Sequence, residues 1–221
     1  MRACLFSGGK DSTLALHKVY ETGKKTDLLI TMKPKNDFSY MFHKPNLEYT
    51  RLQAEALGIR QVFAETKGEK EEELKDLEKA LVDNGVTELI TGAVASRYQG
   101  DRVNAMCARL NIKHLAPLWG IDPLKELNEL ADNFKAIITQ VSAEGLDESF
   151  LGRIIDKEMI EKLLRIHEKY RINLLFEGGE AESFVLDAPL FSKKIEIRSA
   201  SKIVEGTVGR YVIEKAILTD K

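Results

Sequence analysis

Cysteine is scarce: the 221 residues hold two, Cys4 and Cys107, far apart and in no CxxC pair. That spacing indicates neither a zinc site nor a disulfide framework, since both need recurrent or closely spaced thiols. The four histidines, His17, His43, His114 and His167, lack metal-site spacing as well. Net charge is almost absent, because 33 Lys and Arg face 35 Asp and Glu for a formal −2. Coating nucleic acid requires a basic excess, so that class is disfavoured, although a local basic patch stays open. No apolar run is long enough to span a membrane, and Met1 leads into strand-like residues without a secretion-signal pattern. Cytoplasm is the default location that remains. Internal repeats, low-complexity tracts and a Pro/Gly-rich linker are absent too, so no part reads as a tether.

What is present is an ordinary globular share of hydrophobic residues, 43%, enough to bury a core. Short apolar runs at residues 3–6, 28–32, 61–64, 88–91, 113–115 and 136–141 alternate with amphipathic stretches at 12–21, 47–57, 69–83, 102–110 and 123–133. This rhythm predicts an α/β fold: a parallel-sheet nucleotide-binding domain, residues 1–142, with helices on both faces. Leu74, Leu77 and Leu81 mark one buried stripe on the charged helix 69–83. After residue 142 the pattern changes to a loop at 145–155 and a helix at 156–170 carrying Met159, Leu163, Ile166 and Tyr170 on one face. Strand-rich stretches at 194–204 and 208–218 follow, split by a turn at Glu205-Gly206. Residues 143–221 thus read as a small α+β domain.

The segment most informative about chemistry is Ser7-Gly8-Gly9-Lys10-Asp11-Ser12, after a strand and before a helix. A polyphosphate needs backbone N–H donors at close range, and glycines let the backbone come that near. A helix starting there adds the positive end of its dipole. Ser7 and Ser12 offer hydroxyls, Lys10 a positive charge, and Asp11 a carboxylate for Mg²⁺ or for ordering the loop. Neither GxxxxGK[ST] nor GxGxxG occurs, which sets aside a Walker A loop and a dinucleotide fingerprint. The order S-G-G-x-D-S resembles the PP-loop of GMP, NAD and argininosuccinate synthetases and of tRNA-thiolating enzymes, a HUP-like nucleotide-binding fold. The resemblance implies ATP and Mg²⁺ as cofactors, and adenine contacts near the end of the second strand, with Met32 as the candidate. Cys4 and Cys107 lie at strand and helix positions suited to burial, unlike the persulfide carrier of thiolating enzymes.

Two further motifs narrow the family. Thr91-Gly92-Ala93-Val94-Ala95-Ser96-Arg97-Tyr98-Gln99-Gly100-Asp101-Arg102-Val103 follows the fourth strand, where loops of such sheets face the ligand crevice. Gly92 permits close approach to a nucleotide, and Arg97 and Arg102 can neutralise phosphate or carboxylate charge. Continued by Leu115-Ala116-Pro117-Leu118-Trp119, the stretch resembles the diphthine–ammonia ligase family of PP-loop proteins. Glu177-Gly178-Gly179-Glu180-Ala181-Glu182-Ser183 followed by Val185-Leu186-Asp187-Ala188-Pro189-Leu190-Phe191, and Gly145-Leu146-Asp147 with Leu151-Gly152-Arg153, resemble the same family's second domain. Phe176 stands where Gly is common there, Ala181 where an aromatic is usual, and Ser183 for Thr.

The resemblance implies ATP-dependent amidation of diphthine on elongation factor 2 to diphthamide, through an acyl-adenylate, with AMP and pyrophosphate released. Elongation factor 2 and ammonium would be the substrates, with no nucleic acid or membrane partner; a homodimer is compatible. Lys10, Asp11, Glu180 and Glu182 are then the catalytic candidates, with Asp11 as the metal ligand. Ser7 to Ser12, Met32 and Gly92 are the ATP-binding candidates. Arg97, Tyr98, Gln99, Arg102, Glu177, Glu180 and Glu182 are the candidates for the second substrate, whose trimethylammonium group favours carboxylates. Other readings stay open: a PP-loop enzyme adenylating a small carboxylate or a tRNA base, or an ATP-sensing module without turnover.

Overall fold

The computed structural model describes residues 1–34, 46–66, 72–94 and 97–221, with the backbone alone for 72 and 97–99. The start of the predicted helix 69–83, motif residues Ala95 and Ser96, and His43 lie outside the described residues. The first half of the chain runs β1 (Arg2–Leu5), α1 (Lys10–Glu21), β2 (Leu28–Pro34), a 3₁₀ turn (Leu47–Tyr49), α2 (Thr50–Leu57), β3 (Arg60–Thr66), α3 (Glu72–Asp83), β4 (Glu88–Ile90), α4 (Arg97–Arg109) and β5 (Lys113–Leu115). There follow α5 (Pro123–Asn133), β6 (Lys135–Val141), α6 (Lys157–Tyr170), β7 (Ala181–Asp187), β8 (Lys194–Glu205) and β9 (Val208–Thr219). No helix among the described residues is long and apolar enough to cross a membrane.

Contacts divide the chain into two units, the first built from Met1–Ser7, Asp11–Leu47 and Gly58–Gly120. Its sheet has the order β3-β2-β1-β4-β5 with every pair parallel. The predicted α/β class therefore holds. Alternation along β1 explains the layers: Ala3 faces a core with Leu77 and Leu81 of α3 and Val103, Met106 and Cys107 of α4. Cys4 points the other way, its Sγ 3.9 Å from the carbonyl of Ser12 in α1. The chain moves outward from β1 to β2 and β3, then returns to place β4 on the other side of β1. That reversal opens a crevice at the carboxyl ends of β1 and β4, the usual ligand site of such sheets.

The second unit comprises Gly8–Lys10, Glu48–Leu57 and Ile121–Lys221. Its antiparallel sheet has the order β7-β6-β9-β8. The predicted hairpin is present as β8 and β9, turning at Gly206 with φ +63°. Helix α6 starts where Asp156 accepts a hydrogen bond from the Met159 N–H at 2.8 Å, and ends at Arg171 in the left-handed region. One expectation fails here: residues 136–141 are not a further parallel strand but β6, antiparallel to β7 and β9. An apolar run fits the middle of either kind of sheet, so its sequence alone does not tell them apart. With β6 goes α5, and the contacts change over at Gly120/Ile121 rather than at residue 142.

Both cysteines are buried, Cys4 at 0% and Cys107 at 1% exposure, and free. Burial pushes the Cys107 thiol up to about 11 and that of Cys4 higher still, so neither is a ready nucleophile at neutral pH. Replacing both with Ala is expected to cost about 1–3 kcal/mol in total and to leave turnover intact. Denaturant unfolding and a turnover assay on the folded double variant check this; lost turnover would restore a thiol mechanism.

Candidate active site

The first unit supplies the loop's two ends. Phe6 N–H donates to Ile30 O at 2.8 Å, so sheet bonding continues to the point where the chain leaves β1. The Ser7 N–H then donates to Ser12 Oγ at 3.3 Å, with the two hydroxyl oxygens 3.2 Å apart. This folds the segment back onto the first turn of α1, whose leading N–H groups have no intrahelical acceptor and carry the positive dipole end. Asp11 sits half-buried in that turn. Gly92, just past β4, is pressed against it: a Cβ there would lie 2.6 Å from Asp11 C and 2.7 Å from Ser12 N. Only glycine fits beside two backbone atoms that close. Neighbouring Thr91 is fixed in turn, its Oγ1 2.8 Å from His114 Nε2, while His114 Nδ1 meets Asn104 Oδ1 of α4. Burial holds the His114 imidazole below its usual pKa and so favours the neutral ring. Sequence reasoning gave His114 no role, because its partners lie 10 and 23 residues away.

The second unit holds the middle of the loop. Gly8 has φ +76°, and its carbonyl accepts from the Val185 N–H at 3.0 Å and from Gln53 Nε2 at 2.9 Å. Gln53 Nε2 also donates to Val185 O at 2.7 Å, so one buried amide joins α2, β7 and the loop. The Lys10 N–H donates to Ser183 Oγ at 3.1 Å. A Cβ on Gly8 would stand 2.3 Å from Gln53 Oε1 and 2.8 Å from Thr50 Cγ2. The Lys10 side chain turns inward, its Nζ 3.7 Å from Glu126 Oε1 and 5.7 Å from the Phe176 ring centroid.

The other candidates fall as follows. Arg97, Tyr98 and Gln99 open α4 instead of lying in a loop, and Arg102 is half-buried one turn later. Gly100, in the same motif, lies against Trp119: its Cβ would be 2.7 Å from the indole, which ties the two halves of that motif together. Met32 is 3% exposed and belongs to the core, leaving its backbone as the part available to a ligand. Glu180 closes its own loop, accepting from the Asn173 N–H at 2.8 Å and the Gly178 N–H at 2.9 Å. Glu177 and Glu182 are half-buried, and Ala181 begins β7, so the second part of that motif is strand.

Two domain models match the chain, the diphthamide synthase N-terminal domain over residues 1–114 and the diphthamide synthase C-terminal domain over 122–219. The human diphthine–ammonia ligase is 33% identical over 226 residues, covering 91% of this chain and 84% of that protein. The mouse diphthine–ammonia ligase is 34% identical with the same coverage. That of Schizosaccharomyces pombe is 32% identical over 98% of this chain but only 39% of its own length. The structure of a predicted subunit of tRNA methyltransferase from Methanocaldococcus jannaschii aligns over 86% of this chain and 98% of that one, with TM-score 0.47 and 18% identity. With both domain models matched in order and relatives of this identity and coverage, the chain belongs to the diphthine–ammonia ligase family and is a ligase.

Proposed function

We propose that the chain amidates diphthine on elongation factor 2, using ATP and ammonium and releasing AMP and pyrophosphate. The observation that carries this reading is the phosphate loop: a left-handed Gly8 whose carbonyl is held by two hydrogen-bond donors, running straight into the N-terminus of the 12-residue α1. In the proposed reaction the diphthine carboxylate attacks the α-phosphorus of ATP, and the bond to the β-phosphate oxygen breaks. Ammonia then attacks the acyl carbon and AMP departs, one proton being lost from the nitrogen. The chain's part is placement and electrostatics: helix N–H groups and the Ser7 and Ser12 hydroxyls face the charge gathering on pyrophosphate. Mg²⁺ suits the hard carboxylate oxygens of Asp11, half-buried at the helix start, and when bound would neutralise phosphate charge. Incubation with ATP, ammonium and diphthine-bearing elongation factor 2 tests the reading, with the protein product weighed by mass spectrometry and nucleotides separated by chromatography. Amide mass with AMP is the expected result; ADP as the main product would overturn it.

Glu182, half-buried in β7, is the carboxylate proposed to handle ammonium, while Glu180 closes its own loop through two backbone N–H groups. Glu182→Gln removes charge but not size, and amide formation is expected to fall about a hundredfold with ATP affinity kept. Glu180→Gln can reproduce only part of the carboxylate's bonding and is expected to lower the unfolding midpoint, by a loss of about 1–3 kcal/mol. Normal amidation by the Glu182 variant would remove the proposed role.

A further inference from the structure

We infer that Gln53 is a positioning residue for the ATP reaction, its amide locking the Gly8–Gly9 peptide with the carbonyl turned away from the polyphosphate; this rests on the ATP chemistry proposed above. Gln53, Gly8 and Val185 all belong to the second unit. Gln53 is 0% exposed, on the buried side of α2. Its Nε2 donates to Gly8 O at 2.9 Å and to Val185 O at 2.7 Å, and the Val185 N–H donates to the same Gly8 carbonyl at 3.0 Å. β7 is the outer strand of its sheet, and at Val185 its free edge is closed by Gly8 O and the Gln53 amide. The two together stand in for a neighbouring strand. The direction of the amide is fixed as well. Reversed, its oxygen would confront two carbonyls; as it stands, Oε1 is buried with no donor among the described residues. A buried acceptor left so is costly, and the bonds made by the other end of the amide are what offset it.

The consequence lies in the peptide that joins Gly8 to Gly9. In a planar trans peptide the C=O and N–H point in opposite directions, so a carbonyl held on β7 turns the N–H edge the other way. Neither residue carries a Cβ, so no side chain resists a flip of this peptide. Flipped, it would aim the partial negative charge of a carbonyl at the phosphates, beside a helix start that offers them positive charge. The Gln53 amide, bridging Gly8 O and Val185 O, holds that flip shut. It acts on the reaction through the loop, without touching ligand.

Gln53→Met keeps the length of the side chain and removes its donor, and tests this by calorimetric ATP binding, steady-state kinetics and thermal unfolding. ATP affinity is expected to fall about tenfold or more, with KM for ATP rising in step and the smaller change in kcat. KM for ammonium and for diphthine-bearing elongation factor 2 should stay within about twofold. Leu163→Ala, in α6 at 0% exposure, is the control for general destabilisation. It is expected to lower the unfolding midpoint at least as far with ATP affinity kept. Normal ATP affinity in Gln53→Met, or an equal loss in Leu163→Ala, would overturn the inference. Crystal structures read the peptide itself. In ATP-free Gln53→Met the Gly8 carbonyl is expected to leave the Val185 N–H, and its wild-type direction retained there would count against the lock. The wild-type protein bound to a non-hydrolysable ATP analogue gives an answer independent of variant folding: the Gly8 carbonyl should lie on Val185, pointing away from every phosphate oxygen. A Gly8 carbonyl facing the phosphates would sink the proposal. If the wild type binds no ATP, the proposed function fails, while the peptide direction in the ATP-free variant still decides what Gln53 holds.

Discussion

Asp11→Ala is expected to reduce pyrophosphate release by about a thousandfold or more, while the folded state is barely touched. The two effects separate because of where the residue sits. Its carboxylate is half-buried in the first turn of α1, where an acidic side chain contributes about 0.3–1 kcal/mol against the helix dipole. Loss of that term shifts the unfolding midpoint by a few degrees at most for a chain of this size. Removal of the proposed metal ligand, by contrast, leaves the growing charge on pyrophosphate without its strongest counter-charge. Unfolding curves together with a coupled pyrophosphate assay decide the matter. Release within tenfold of wild type, from a protein with a normal midpoint, would strip Asp11 of the role.

Gly92→Val should act on the same helix start from outside the phosphate loop. A Cβ at residue 92 would come within 2.6–2.9 Å of Asp11 C, Ser12 N and Asp11 O, all backbone atoms that no rotamer change can move. Either α1 or the end of β4 must shift, with overpacking costing about 1–3 kcal/mol. Displacing the leading N–H groups by about an ångström is enough to cost a hundredfold in placement, and the branched side chain adds to it, so pyrophosphate release is expected to fall about a thousandfold. Gly92→Ala should fall between the two proteins. ATP affinity by calorimetry separates a lost binding site from lost chemistry, and unchanged affinity in the valine variant would count against a nucleotide beside Gly92.

Local order was readable from the sequence wherever the signal is local. The loop glycines, the turn at Glu205-Gly206 and the helix beginning near residue 156 announce themselves within a few residues. The Leu77 and Leu81 stripe was readable for the same reason, since a helix face repeats every three to four positions. What escaped was the partner of each local feature. Gln53 looks like a surface residue until α2 is phased, when Thr50, Gln53 and Ala54 share its buried side. Glu126 offered a comparable clue, flanked by Leu127 and one turn before Leu130, on the face α5 buries. Sequence patterning marks such positions as inward, but it does not say which element they meet. The link from Ser183 to Lys10, across 173 residues, has no sequence signature at all. The motif around Glu177–Ser183 was therefore read as substrate chemistry, although part of it anchors the loop.

The second unit borrows Gly8–Lys10 and Glu48–Leu57 from the first half of the chain, and this bears on how the protein is born. A ribosome emits Lys10 long before Ser183 and Val185, and at about 5–20 residues per second the wait is roughly 10–35 s. During that interval Gly8 lacks its bond from the Val185 N–H and Lys10 its bond to Ser183. Nascent chains should consequently be blind to nucleotide until synthesis is nearly finished, however early the parallel sheet condenses. The same dependence defeats fragmentation: a piece beginning at Ile121 would lack α2 and the three loop residues that complete its core.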